Sequence, residues 1–243
     1  FPGMNRIEPA LLAATVGLLA WIGQDASPTE KRLERLSMAF GMYALDFDDT
    51  YPPMSSPNNA NPRMRWADRV YPYVKSVEDF IDPSAPKEML TRPFNPPIAG
   101  QTEALWGGFG YNYQYLGNSR TGAGLPFGRK TSDLSAPEKT VLLSQTQGVR
   151  NDAGEVTGGV YTVDPPLPSK RGSGNAAGYY GQGEACGTGP VGCRSTPAEW
   201  KPGLVHLVTI EGKVLRMSRA RLDDSDGDRM PDNGWYTGSG KPE

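Results

Sequence analysis

An uncharged apolar run followed by a charged amphipathic run, both at the start of the chain, constrains this sequence most. Pro9-Ala-Leu-Leu-Ala-Ala-Thr-Val-Gly-Leu-Leu-Ala-Trp-Ile22 follows a short polar patch (Asn5, Arg6, Glu8) and leads through Gln24–Glu30 into Lys31–Met42. The sequence opens on Phe1 rather than methionine, which reads as processing upstream. As a helix, residues 7–22 would be ~24 Å long, whereas a comfortable bilayer span takes ~20 residues. The segment therefore suits a packed fibre core better than a lone span. A signal-peptide core and a buried helix of an ordinary soluble protein are the alternatives.

Helix is expected over residues 4–22, with a break between Gly23 and Pro28. Ser27-Pro28-Thr29-Glu30 then combines a cap residue, a proline at the first helical position and a glutamate at the third. From there Leu33, Leu36, Phe40, Tyr43 and Phe47 form one apolar stripe, predicted to pack on a head while Lys31, Arg32, Glu34 and Arg35 face water. Tyr51-Pro52-Pro53 is the expected stop. The chain thus divides into an N-terminal assembly or membrane helix, 1–50, and a globular head, 51–243.

The head is large enough for a core of its own. Its 30 glycines and 23 prolines favour loops and strands over a helical bundle. A short amphipathic helix is expected from Trp66 to Val77, and Val77–Pro83 should tie helix to sheet. Strands are expected at 107–116, 140–146 and 160–163, and a hairpin at 203–217 around Glu211-Gly212. Residues 164–200 read as a Gly/Pro-rich loop. The fold class is α+β: a long N-terminal helix on an antiparallel sheet, with extended loops. A net charge of −2 leaves no nucleic-acid footprint.

Four features bear on chemistry. Cys186 and Cys193, with six residues between them, point to a disulfide, with free thiols and metal ligation as alternatives. Asp224, Asp226, Asp228 and Asp232 surround Gly227, so their carboxylates can converge on one hard cation such as Ca²⁺; a solvated acidic tail is the alternative. The glutamate of an EF-hand is missing, since Trp235 stands at the twelfth loop position. Asp46, Asp48 and Asp49 read as a solvated patch at a helix end. Catalysis finds little support: the one histidine, His206, lies in a predicted strand, and Gly107-Gly-Phe-Gly lacks the lysine of a phosphate loop. The aromatic residues Trp66, Tyr71, Tyr73, Trp106, Tyr111, Tyr113 and Tyr115 read mainly as core. No enzyme activity is expected.

Four ordered segments carry a family resemblance: Met42-Tyr-Ala-Leu-Asp-Phe-Asp-Asp-Thr-Tyr-Pro52, Gly110-Tyr-Asn-Tyr113, Ser135-Ala-Pro-Glu-Lys-Thr-Val-Leu-Leu143 and His206-Leu-Val-Thr-Ile-Glu-Gly-Lys-Val214. Together they resemble the type IV pilin-like and type II secretion pseudopilin superfamily, in its long-headed, planctomycete-like branch. The resemblance implies a filament subunit that waits in the inner membrane, assembles with identical subunits and ends outside the cell. Phe1, Arg6, Glu8, Leu11, Leu12, Val16 and Leu19 would then be assembly residues. The family's glutamate at the fifth position is replaced by Asn5, so Glu8, paired with Arg6 or a neighbour's Phe1 amine, is the substitute. A membrane-tethered, calcium-stabilised binding module that never polymerises and an extracellular hydrolase are the competing readings.

Overall fold

The computed structural model describes residues 26–57, 59–122, 125–169, 178–180, 193–200 and 203–243. The expected assembly residues Phe1, Arg6, Glu8, Leu11, Leu12, Val16 and Leu19 lie outside this set.

The first described element is helix α1, Pro28–Asp46. Its start follows from the local sequence. The Ser27 hydroxyl accepts from the Glu30 amide at 3.3 Å, and the Ser27 amide donates to Glu30 Oε2 at 2.7 Å, so two otherwise orphaned amides are satisfied reciprocally. Leu33, Leu36, Phe40 and Tyr43 are buried, as the stripe predicts, but Phe47 is half exposed and stacks on Tyr43. Helix α1 also ends earlier than Pro52: Phe47 is the C-cap, and Asp48 and Asp49 take positive φ of 52° and 63°. Aspartate tolerates that region because its short side chain bonds locally, so the reversal precedes the prolines. Arg32, expected in water, is half-buried and donates to the Ile81 carbonyl at 2.7 Å, while Arg35 pairs with Asp79. Both arginines clamp α1 to the one-turn helix Val77–Phe80, the segment read as the tie between helix and sheet.

Helix α2, Trp66–Val74, packs beside α1. The main sheet has four strands, all antiparallel: β3 (Phe109–Tyr111), β6 (Val141–Gln145), β9 (Val205–Thr209) and β10 (Val214–Met217), in the order β10-β9-β6-β3. Three two-stranded ribbons complete the β structure: β1 (Arg92–Pro93) with β2 (Leu105–Trp106), β4 (Gly117–Gly122) with β5 (Leu125–Gly128), and β7 (Val149–Arg150) with β8 (Val156–Gly158). The protein is α+β. The hairpin turn falls where Gly212 supplies φ +88°.

Both faces of the sheet are covered. On one face Leu142, Leu143 and Val208 join Leu33, Leu36, Phe40, Trp66 and Phe80 in the main core. On the other, Val141, Val205 and Leu207 meet Leu222 and Tyr236 from the C-terminal segment. The one-turn helix α4, Arg219–Asp223, and the chain after it are therefore a structural layer.

The predicted strand 107–116 is only half strand. Beyond Tyr111 the chain forms a single helical turn, α3, Tyr113–Leu116. Asn112 is fully buried; its side chain donates to the Val141 and Tyr236 carbonyls at 2.9 and 3.0 Å and its amide to the Leu142 carbonyl at 3.1 Å, so the ladder ends there and the helical turn begins. Residues 160–163 make no strand but a parallel bridge, Thr162 to Tyr111, along the β3 edge. That approach explains Gly110: a Cβ there would lie 2.6 Å from the Thr162 carbonyl.

Glu30 also pairs with Arg216 of β10 at 3.0 Å. Burial alone would raise its pKa, but hydrogen bonds from Ser27 and the Arg216 charge outweigh it and hold the carboxyl below its ordinary 4.5. A depressed folded value means the ionised form stabilises the fold above pH 4.5, and that stabilisation is lost as pH falls through the folded value. Glu30→Gln is expected to cost about 1 kcal/mol at neutral pH, as for other cap losses, and less in acid. Urea denaturation from pH 7 to about pH 3 measures this; a constant difference between variant and wild type would contradict it.

Candidate functional site

The acidic loop hangs between two anchored ends. At its start, buried Asp223 accepts hydrogen bonds from the Tyr179 and Tyr180 hydroxyls. At its end, the Asp232 amide donates back to the Asp223 carbonyl at 2.7 Å. Between them Gly227 and Arg229 adopt positive φ, 84° and 73°, so the chain curls inward twice.

Within the curl Asp224, Asp226 and Asp232 each place a carboxylate oxygen within 4.8 Å of the others. Two oxygens on one calcium ion at 2.3–2.6 Å lie at most about 5 Å apart, so the spacing fits a single cation. Their other contacts are backbone amides. Asp224 accepts from Gly227 at 2.6 Å and Arg229 at 3.0 Å, Asp226 from Asp228 at 3.2 Å, and Asp232 from Ser225 at 2.7 Å and Gly234 at 2.5 Å. A carboxylate has about four acceptor positions, so each keeps capacity for a cation. The Ser225 Oγ, in the same loop, is buried and has no hydrogen-bond partner among the described residues. Asp228 does not join them: its Oδ1 caps its own turn by accepting from Met230 at 2.7 Å, and it stays exposed. Alternation alone placed it in the set, but the αL residue at Gly227 breaks the period.

The second acidic patch is divided among separate partners. Asp46 accepts from the Tyr73 hydroxyl at 2.7 Å and Asp49 from the Ser132 amide at 3.0 Å. Asp48 instead lines, with Tyr43, Phe47, Tyr51 and Phe127, a cleft of about 450 Å³. Cys193 is buried and disulfide-bonded, while Cys186 lies outside the described residues. The Cys193 Sγ lies 3.7 Å from the Tyr179 carbonyl, so the cysteine segment abuts the neck of the acidic loop.

His206 is a buried hydrogen-bonding residue. The Gln145 Oε1 accepts from the His206 amide at 2.9 Å and lies 3.0 Å from Nδ1, while the Gln145 Nε2 donates to Asp82 at 2.7 Å. Asp82 also accepts from Ser84 and Thr29, so the amide nitrogen must face it and the imidazole Nδ1 donates to the Gln145 Oε1. The glycines of 107–110 serve close packing: a Cβ on Gly107 would lie 2.1 Å from the Met89 carbonyl. Trp66, Trp106, Tyr111, Tyr113 and Tyr115 are buried, and Tyr71 and Tyr73 pack at the core's margin.

One surface feature escaped the sequence reading. Met38, Met42 and Leu45 on the outward side of α1 are 59%, 49% and 84% exposed. Their spacing, i, i+4 and i+7, is that of a single helix face; it was visible in the sequence beneath the stronger inward stripe. Among the described residues, no helix is long and apolar enough to cross a membrane. The chain matches no protein-family model, no curated protein and no solved structure.

Proposed function

We propose that this chain is the structural subunit of an extracellular filament of pilus or pseudopilus type, joined to identical subunits through its N-terminal helical region. The observation that carries the reading is the second apolar stripe on α1. A helix that closes one core needs one apolar face; Met38, Met42 and Leu45 give α1 another, facing outward. Such a face favours association, at roughly 1.5–3 kcal/mol for each side chain fully removed from water. Helix-then-antiparallel-sheet order is the arrangement the pilin-like resemblance implies, and the apolar run 9–22 precedes α1 in sequence. Contacts between unlike faces of successive subunits leave an open-ended fibre. Before assembly the apolar run would hold the subunit in the inner membrane.

The role is structural, and no reaction is assigned to the head. Met42→Glu combined with Leu45→Glu is expected to abolish sedimentable assemblies, because each carboxylate would have to be desolvated at the subunit contact. The fold should be spared, since surface changes of this kind stay within about 0.5 kcal/mol. Ultracentrifugation together with thermal melting measures both; a variant that pellets like wild type would count against the reading.

The acidic loop is read as a calcium site that fastens the C-terminal layer to the sheet. Asp224, Asp226 and Asp232 would hold the ion, whose charge relieves their mutual repulsion. With a dissociation constant of ~10⁻⁴–10⁻³ M, ~10 mM calcium adds about 1.4–2.7 kcal/mol. Melting should rise by roughly 3–11 °C, and Asp226→Ala should remove the rise. A wild-type melting curve that is the same in chelator and in calcium would leave a solvated loop.

A further inference from the structure

We propose that Arg63, Arg65, Arg92 and Tyr161 form a binding site for a tetrahedral oxyanion, phosphate or sulfate, either free or as the end of an ester. The site lies apart from the acidic loop and owes nothing to the filament reading. Its parts come from three chain segments: the approach to α2, the start of β1, and the stretch along the β3 edge. Arg65 and Arg92 stand over the Tyr161 ring, 5.4 and 5.5 Å from its centroid. Arg63 reaches the Tyr161 hydroxyl and the Ser55 Oγ, both at 3.4 Å.

These guanidinium groups are short of acceptors. Among the described residues the buried Nε atoms of Arg63, Arg65 and Arg92, and Nη1 of Arg65, have no hydrogen-bond partner, although Nη2 of Arg92 donates to the Gly159 carbonyl at 3.1 Å. A ring face offsets part of the positive charge, but it takes none of these in-plane N–H groups. Among the described residues no ion pair ties these arginines to a carboxylate. The nearby Asp68 accepts from backbone amides, Asn95's at 2.8 Å and Arg65's own at 2.6 Å, and its charge offsets Arg65 only in part, in company with Arg69. Burial, then the neighbouring charges of Arg65, Arg194 and Arg63, push Arg92 below its ordinary value. Arginine nonetheless stays protonated, so the cluster calls for a counter-charge with several acceptor oxygens. Guanidinium forks bind such anions through paired, charge-assisted hydrogen bonds. Forks arriving from separate segments suit oxygens that point in several directions, as in a tetrahedral anion.

The test uses the full chain, titrated calorimetrically with sodium phosphate and sodium sulfate against sodium chloride at equal ionic strength. Saturable binding of phosphate or sulfate, with none for chloride, is expected. The double variant Arg65→Gln with Arg92→Gln should weaken it by about tenfold or more, the value of one charge-assisted hydrogen bond. Arg150→Gln, whose guanidinium stacks on Trp200 instead, should bind as wild type does. If the double variant fails to fold, Arg92→Lys keeps the charge and loses the fork, and weaker binding is again expected. Methyl phosphate as a further probe separates the sources: affinity equal to phosphate places an ester terminus in the site, weaker affinity the free ion, and either supports it. Phosphate and sulfate behaving like chloride, or a folded arginine variant with unchanged affinity, would overturn the proposal.

Discussion

Replacing Phe40 with alanine is expected to cost the fold about 3–5 kcal/mol, the usual range for a phenylalanine truncated in a packed core. Phe40 is fully buried at the point where α1, α2 and the sheet meet, with ring centroids 5.5 Å from Trp66 and 5.3 Å from Tyr111. Those two rings are themselves held, Trp66 by its Nε1 donating to the Tyr161 carbonyl at 2.7 Å and Tyr111 by the β3–β6 ladder. The space left by Phe40 therefore has little chance to collapse, which places the cost high in its range. Since a domain holds only 5–15 kcal/mol in total, melting should fall by roughly 6–20 °C. Met38→Ala, two residues away on the outward face, should change stability by less than about 0.5 kcal/mol. Urea denaturation of both variants decides: equal, small losses would mean that α1 is not built into the core as described.

That contrast within one helix shows what the sequence made legible. The start of α1 was readable because Ser27, Pro28 and Glu30 act on neighbouring atoms, and the inward stripe because burial follows the helical period. The end of α1 was not, because Asp48 and Asp49 reverse the chain where the prolines gave the louder signal. The aromatic alternation Tyr111, Tyr113, Tyr115 reads as strand, and all three rings are indeed buried. Tyr111, Tyr113 and Leu116 face the main core and Tyr115 the second one, so the helical turn after Asn112 divides its side chains between two cores instead of alternating along a ladder. Long-range bonds from Asn112 to residues 141, 142 and 236 anchor that turn, and local pattern holds no trace of them. The ribbon β4–β5 is rich in glycine and polar residues, with little strand propensity to announce it. In the acidic loop the residue types were legible. Which of the four aspartates converge was not, since that depends on the positive φ at Gly227 and Arg229. The arginines around Tyr161 were invisible because they meet only when positions 63–65, 92 and 161 fold together.

Removal of residues 1–25 is expected to convert an assembling subunit into a soluble monomer with the same head. Every described core contact of α1 begins after Ser27: Leu33, Leu36, Ala39 and Phe40 belong to the main core, and the capping box at Ser27 and Glu30 starts the helix without help from what precedes it. The head should therefore melt within about 0.5 kcal/mol of the full chain's head. On the filament reading, the apolar run 9–22 would contribute association at about 25 cal/mol per Å² of apolar surface buried, and the Met38, Met42 and Leu45 face that remains on α1 is too small to replace it. Negative-stain electron microscopy of the full chain beside the chain beginning at Ala26 tests this most directly. The account predicts helical filaments from the first and single particles from the second; filaments from both, or none from either, would contradict it.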